Sequence, residues 1–482
     1  MGPGRWPFSM TVLEHGAFAF CGLLVYVLVT RIGQHRRQPS AGLAWVLVIA
    51  MFPYVGLPLF LLFGTRKFAR PGVMPGVPQP AASLARTMGG DREGHGGHTH
   101  PAWATSLLAS FGLGAPAACR LIEFHQDGNA SWQALLAMLR RAKGSIDLCT
   151  FVLRRDEVGE AVMSELELAA RRGIRVRLLI DAFGSMRVPE RRLHELRDAG
   201  VQVRRFMPLW HNPLRGRTNL RNHRKLAIAD ADVLWSGGRN QAAEYFIDRP
   251  DEPAWQDLSF TISGPLAVQA QSLFEHDWRV SGGSVPELPL PLAAGAPVAP
   301  TSVAGAMTQL IPSGPDHADD TVYALLLSAA YHARYRILAV SPYFVPDDAL
   351  LSALCLACRR GVSLTLLLPG RSNHSLADLA RGRSIRQLQQ AGGKVLLYPS
   401  MMHAKAVVVD HELALCGTVN LDARSLFLNF ELMFAFYGSE EIDWLAGWIE
   451  ERSRVSRAHD PAPPRWWKDL MEGIVRAVGY QL

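Results

Sequence analysis

Apolar and polar positions change their period several times along this chain. The first 69 residues are dominated by two apolar runs. Ala41 to Gly64, "AGLAWVLVIAMFPYVGLPLFLLFG", holds 24 residues without a charge. At ~1.5 Å per residue a run of that length crosses a hydrocarbon layer of about 30 Å. Pro53 and Pro58 predict a bent span, or one packed tightly in a hairpin. The earlier run, about Phe8 to Thr30, is interrupted by Glu14 and His15 and is clean only from Gly16. No A-x-A cleavage pattern precedes Arg31, which argues against a secretory signal. Residues 1–69 are therefore expected to form a membrane anchor of two transmembrane helices, about 8–30 and 41–64. The loop between them carries Arg31, Arg36 and Arg37, and the other side Arg5, Arg66, Lys67 and Arg70. That balance does not orient the anchor by the excess of cytoplasmic positive charge. A cytoplasmic main body is the expectation adopted.

Residues 70–117 are rich in Pro and Gly and read as a linker. Its His95, His98 and His100 are read as solvated linker residues rather than metal ligands. Beyond it the pattern repeats. "LAARRGIRVRLLI" ends at Ile180 and "LACRRGVSLTLLL" at Leu368. Each joins a helical period to an apolar strand through Gly173 or Gly361, a helix-then-strand unit of an α/β domain. A further apolar strand precedes each, in "IDLCTFVL" and "YRILAVSPYFV". The prediction is two similar α/β halves, 118–288 and 305–460, joined by a Pro/Ala-rich bridge, 289–304. Residues 461–482 close the chain. There Trp466, Trp467, Leu470, Met471, Ile474 and Val478 recur at helical spacing, with Arg465, Lys468 and Arg476 around them. Such a helix either packs on the body or lies in a membrane interface.

Composition narrows the class. With 49% hydrophobic residues and 19% charged, the 482-residue chain can bury large cores and is not disordered. A net charge of +7 suits an anionic partner, lipid surface or nucleic acid alike. Six scattered cysteines exclude a disulfide-stapled domain. Cys355 and Cys358 form the one C-x-x-C, inside an amphipathic helix with no second pair to complete a zinc site, and read as helix core.

The chemistry is concentrated in a pattern that occurs twice. "HRKLAIADADVLWSGGRN" places His223, Lys225, Asp230, Gly237 and Asn240; "HAKAVVVDHELALCGTVN" places His403, Lys405, Asp410, Gly417 and Asn420 at identical spacing. Two of the chain's six lysines fall here. His and Lys two apart on an extended strand share a face. Histidine serves as nucleophile or general acid near neutral pH, and lysine as a compact charge for phosphate. The strand is read as turning back at the glycine, so that Asn240 and Asn420 bring amide donors to the same phosphate. Two halves then supply a nucleophile and an acid. Asp230 and Asp410, at odd offset from their histidines, are read as supports of the motif. Further on, "WQDLSFTISG" aligns with "NFELMFAFYG", pairing Asp257 with Glu431. Carboxylates there would fix the tautomer of each imidazole.

The doubled H-x-K-x4-D-x6-G-x2-N pattern resembles the phospholipase D superfamily. The apolar N-terminal runs, "NLRNHRK" around His223 and "NLDARSLFLNFE" after Asn420 are similar to bacterial cardiolipin synthases of the two-span type. Gly238 and Thr418 stand where the superfamily often has Ser; Gly238 would remove one hydroxyl donor to phosphate. The resemblance implies two α/β halves related by a pseudo-twofold, with mixed β-sheets, in a multi-pass protein of the bacterial inner membrane. It implies a phosphatidyltransferase that converts two phosphatidylglycerol molecules to cardiolipin and glycerol through a covalent phosphohistidine, without metal or other cofactor. His223, Lys225, Asp230, His403, Lys405 and Asp410 would be its catalytic set, with His223 as nucleophile and His403 as acid/base. Lys225, Asn240, Lys405 and Asn420 would bind phosphate. By composition, Arg215, Arg217 and Arg221 in the loop before His223, with Arg224 just after it, either hold an anionic lipid or are solvated loop charges. The alternatives are a membrane-bound phospholipase D producing phosphatidic acid, a nucleic-acid phosphodiesterase and a non-enzymatic membrane scaffold. The membrane anchor, and the lack of a basic run interleaved with aromatics, argue against nucleic acid.

Overall fold

The computed structural model describes residues 12–32, 39–63, 100–208, 220–250, 252–284, 306–317, 319–462 and 464–478. The N-terminal module contains α1 (Val12–Ile32), α2 (Pro39–Met51) and α3 (Pro53–Phe63). The run expected to be the second span is thus two helices, broken at Phe52. Proline at 53 has no N–H to continue the ladder and its ring crowds the preceding turn. Among the described residues no helix is long and apolar enough to cross a membrane. His95 and His98 lie outside the described residues. The end of the expected linker is folded: α4 (Ala102–Ser110) packs on the second half, where Trp103 stacks on His332 with ring centroids 4.8 Å apart. The strand β1 (Ala117–Ala118) also pairs with the second half.

The first half runs β2 (Leu121–His125), α5 (Gly128–Arg141), β3 (Ser145–Thr150), α6 (Glu157–Arg171), β4 (Arg175–Asp181), α7 (Glu190–Asp198), β5 (Gln202–Phe206), β6 (Leu226–Ala229), β7 (Val233–Gly237), β8 (Ser259–Ser263) and α8 (Pro265–Val280). Its sheet has the order β2-β8-β7-β6-β3-β4-β5, parallel along β3-β4-β5 and antiparallel elsewhere.

The second half runs β9 (Met307–Ser313), α9 (Thr321–His332), β10 (Arg336–Val340), β11 (Phe344–Val345), α10 (Asp348–Arg359), β12 (Ser363–Pro369), α11 (Ser375–Gln390), β13 (Lys394–Tyr398), β14 (Ala406–Val409), β15 (Leu413–Gly417), β16 (Leu421–Asp422), α12 (Ala423–Phe427), β17 (Glu431–Phe436), α13 (Ser439–Arg454) and β18 (Arg457–Ala458). Its sheet repeats the first as β9-β17-β15-β14-β10-β12-β13, with β1 and β18 added at the edges. The tail is α14 (Trp466–Val478).

Local chemistry explains the repeat. Asp156 and Asp347 cap α6 and α10 by accepting backbone N–H groups of their first turns, and Gly173 and Gly361 end the same helices in the left-handed region. Cys355 and Cys358 are buried on α10, as expected of helix-core residues. The two sheets face each other across a shared apolar core. Phe260 meets Phe434 at 4.9 Å between ring centroids, Phe206 meets Phe430 at 4.9 Å and Phe124 meets Phe436 at 5.1 Å. Aromatic pairs at such distances contribute about 0.5–1.5 kcal/mol each beyond burial. That core fixes the halves face to face, with both histidine motifs at the seam.

Candidate active site

His223 and Lys225 lie in the extended lead-in to β6, and His403 and Lys405 in the same place before β14. Each lead-in is pinned by a segment from the other half. His223 N donates to Phe430 O at 2.8 Å, and Phe430 N to Arg221 O at 2.8 Å. By pseudo-symmetry His403 N donates to Gln256 O at 2.7 Å, and Gln256 N to Met401 O at 2.9 Å. These bridges carry the carboxylates across. His223 Nδ1 donates to Glu431 Oε2 at 2.9 Å, and His403 Nδ1 to Asp257 Oδ2 at 2.6 Å. Each histidine is therefore oriented by the acid of the opposite half. Sequence spacing pairs Asp257 with Glu431 as equivalents but is silent on which imidazole each serves.

The cluster is almost closed to solvent: His223 is 9% exposed, His403 4%, and both lysines 1% or less. Burial, with a smaller contribution from the two lysines, lowers His223 to about 4 against the pull of Glu431. Burial and Lys405 lower His403 to about 3, against Asp257. Burial alone would raise Asp257, but His403, Lys405 and Arg239 outweigh it and hold the carboxyl down at about 2. Glu431 is likewise held below its usual range, where His223, Lys225 and the Thr418 hydroxyl overcome burial. Both acids are then ionised acceptors, so each neutral imidazole carries its proton on Nδ1 and its lone pair on Nε2. Burial lowers Lys225 to about 7 and Lys405 to about 8. Lys225 Nζ donates to His223 O at 2.7 Å; Lys405 Nζ donates to His403 O and lies 2.7 and 3.0 Å from the two ring nitrogens of His403.

The other motif positions divide. Asp230 and Asp410 make no contact with the histidines. Asp230 accepts the backbone N–H groups of Lys143, Gly144 and Ser145 at 2.7–2.9 Å, and Asp410 those of Arg334, Tyr335 and Arg336 at 2.8–2.9 Å. Both have positive φ, 54° and 51°, and it is here that the hairpins turn. The expected turn at the glycine is displaced to these aspartates. Gly237 and Gly417 instead mark close passage of the next strand, since a Cβ on either would lie 2.3 Å from Leu258 O or Leu432 O. Asn240 accepts from Val152 N at 3.1 Å and donates to Tyr245 Oη at 2.8 Å. Asn420 Oδ1 is buried without a hydrogen-bond partner among the described residues.

Two further expectations change. The Thr418 hydroxyl donates to Glu431 Oε2 at 2.5 Å, and a Cβ at Gly238 would sit 2.2 Å from Asp257 Oδ1. These positions shape the orienting carboxylates: the longer Glu431 has a hydroxyl brace, and the shorter Asp257 has room. Arg224 does not face a lipid. Fully buried, it donates to Asp277 Oδ1 at 2.5 Å, to Asp316 Oδ2 at 3.4 Å and to the Glu431 carbonyl at 3.0 Å. Arg221 is also buried and donates to Met207 O at 3.0 Å; Arg215 and Arg217 lie outside the described residues. His276, Asp277 and Asp316 cluster tightly enough for a metal ion, but the Arg224 guanidinium already supplies the cation there. Composition could not reveal this network, because the loop's arginines look alike in sequence.

A family model described as "Cardiolipin synthase, PLD-like domain" matches residues 135–278 and 326–452, the two halves just described. The chain belongs to this cardiolipin synthase, phospholipase D-like family. A second model, "Phospholipase_D-nuclease N-terminal", matches residues 22–64. Cardiolipin synthase A of Pseudomonas fluorescens is 31% identical over 418 residues, covering 82% of this chain and 83% of that protein. Cardiolipin synthase 1 of Bacillus anthracis is 28% identical over 457 residues, covering 90% and 88%. Among solved structures, phosphatidylserine synthase of Haemophilus influenzae matches with a TM-score of 0.58 at 14% identity, over 79% of this chain and 100% of that one. That likeness is one of fold.

Proposed function

We propose that this chain is a cardiolipin synthase that transfers a phosphatidyl group between two phosphatidylglycerol molecules. The carrying observation is the pair of buried histidines, each held at Nδ1 by an ionised carboxylate from the opposite half. That hydrogen bond leaves the Nε2 lone pair of His223 for attack on phosphorus. An N–P bond forms, and the bond from phosphorus to the glycerol oxygen breaks. His403, passed a proton by Lys405, protonates the departing glycerol. His403, neutral again, then takes the hydroxyl proton of a second phosphatidylglycerol and returns it to Lys405, restoring their starting protonation. That oxygen attacks phosphorus, the N–P bond breaks, and cardiolipin leaves. Lys225 and Lys405 offset charge on the phosphoryl oxygens, with Asn420 as a further contact; Asn240, held by Val152 and Tyr245, braces the segment around the site instead. Asp230 and Asp410 act through the loops they bracket. Closure of the site to solvent favours a lipid alcohol over water as acceptor.

The N-terminal helices hold the body at the bacterial membrane. The α14 helix adds an aromatic face, with Trp466, Trp467, Leu470 and Met471 exposed while Glu472 is buried against Arg386 of α11 at 2.7 Å. The test is lipid mass spectrometry after incubating the protein with phosphatidylglycerol vesicles in chelator, beside His223→Ala and His403→Ala. Cardiolipin plus glycerol, lost in both variants, is expected. Phosphatidic acid in place of cardiolipin would make the chain a hydrolase.

A further inference from the structure

The N-terminal helices fold back on themselves. In one continuous helix, Trp45 and Phe60 would lie about 22 Å apart along the axis at ~1.5 Å per residue. Their ring centroids are 5.5 Å apart, and Phe60 also meets Tyr26 of α1 at 4.9 Å. Tyr26 Oη in turn donates to Gly42 O at 3.2 Å. Gly56 lets the helices approach, since a Cβ there would be 2.8 Å from Val48 O and 3.0 Å from the Ile49 Cα. At the break, Phe52 N still donates to Val48 O and Gly56 N to Phe52 O, so the reversal keeps its backbone bonded. The tip meets the N-terminal half of α1, where Phe18 lies 5.0 Å from Tyr54. Both open ends of the α2–α3 hairpin, Pro39 and Phe63, therefore lie towards the Ile32 end of α1.

Neither arm is long enough to span: 13 and 11 residues rise about 20 and 17 Å against a hydrocarbon core of about 30 Å. Apolar segments of that length are typical of re-entrant elements, which are tolerated where packing and internal hydrogen bonds satisfy the backbone. The bundle presents Phe20, Leu24, Leu47, Met51, Phe52 and Val55 outward, an apolar surface suited to acyl chains. Charge then orients it. In sequence, Arg31, Arg36, Arg37, Arg66, Lys67 and Arg70 lie at or beyond the Ile32, Pro39 and Phe63 helix ends, and Arg5 alone precedes α1. Two spans would have divided these charges three against four. The hairpin groups six against one, matching a cytoplasmic, anionic leaflet. The contact of α14 with α2 ties the body to the same module.

We infer that α2 and α3 form a re-entrant hairpin that enters and leaves the bilayer from the cytoplasmic side, placing its ends at Pro39 and Phe63 and the catalytic body on that one side. The inference rests on the membrane reading above, not on the catalytic one. The test uses the full chain expressed in bacteria, with Cys21→Ser and a single cysteine at Gln34→Cys or Ser83→Cys. The native cysteines Cys119, Cys149, Cys355, Cys358 and Cys416 are buried. A membrane-impermeant maleimide should label both sites in inside-out vesicles, with loss of labelling in intact spheroplasts. Labelling of Gln34→Cys from outside and Ser83→Cys from inside would overturn the hairpin in favour of two spans. Labelling of both from outside would overturn the sidedness, and release by alkaline carbonate would overturn insertion. Cardiolipin formation by the same vesicles reports the catalytic reading separately.

Discussion

His223 and His403 are chemically similar but not equivalent. Glu431 receives a second hydrogen bond from Thr418, whereas Asp257 lies against Gly238, where any side chain would collide with it. Gly238→Ser should push Asp257 off His403. We expect kcat to fall at least about tenfold, as a misoriented general acid would cost, with circular dichroism unchanged. Asp257→Asn and Glu431→Gln keep the shape but remove the charge that fixes each tautomer. Each should lower kcat/KM by about 10²–10⁴-fold in a phosphatidylglycerol assay, the range seen when a histidine loses its orienting acid. The pH profile follows from burial. As the proposed nucleophile, His223 must be neutral to attack and is lowered to about 4, so the acid limb of kcat/KM is expected near there. Lys225 and Lys405, lowered to about 7 and about 8, hold their protons below those values and lose them above, so activity declines on the alkaline side of that window. An alkaline limb near 10, the ordinary lysine range, would contradict the buried-lysine account.

Elements explain why these side chains converge. The paired repeats, the helix-to-strand joints at Gly173 and Gly361 and the two histidine motifs are legible in sequence, because periodicity and spacing are local properties. The carboxylate exchange is not, since Asp257 and Glu431 reach the opposite histidines only after β8 and β17 meet across the seam. The hairpin turns fall at Asp230 and Asp410 because those carboxylates gather three backbone N–H groups each, which pattern alone does not announce. The break at Phe52 is foreshadowed by Pro53, but the full reversal depends on Gly56 contacts invisible in one dimension. Arg224 is the sharpest departure, a loop arginine by composition and a buried tie by structure. Arg224→Met should leave Asp277 and Asp316 without their cation. We expect a loss of about 3–5 kcal/mol of stability, read as a lowered denaturant midpoint. An unchanged midpoint would show the network to be dispensable.

At the scale of the whole molecule, neither half contains a complete site. The first half holds His223 but orients His403 through Asp257; the second holds His403 but orients His223 through Glu431. The shared aromatic core, together with α4 and β1 strapped onto the second half, keeps the two registers aligned. On the proposed function, the N-terminal bundle and α14 would set this composite site beside a lipid surface. The most direct test of the composite site is mass spectrometry of the full-length protein, quenched at alkaline pH during turnover of phosphatidylglycerol and digested to peptides. A phosphatidyl adduct on the peptide containing His223, absent in His223→Ala and depleted in Glu431→Gln, is the result expected. An adduct on His403 instead, or cardiolipin formed with no histidine adduct under any quench, would contradict it.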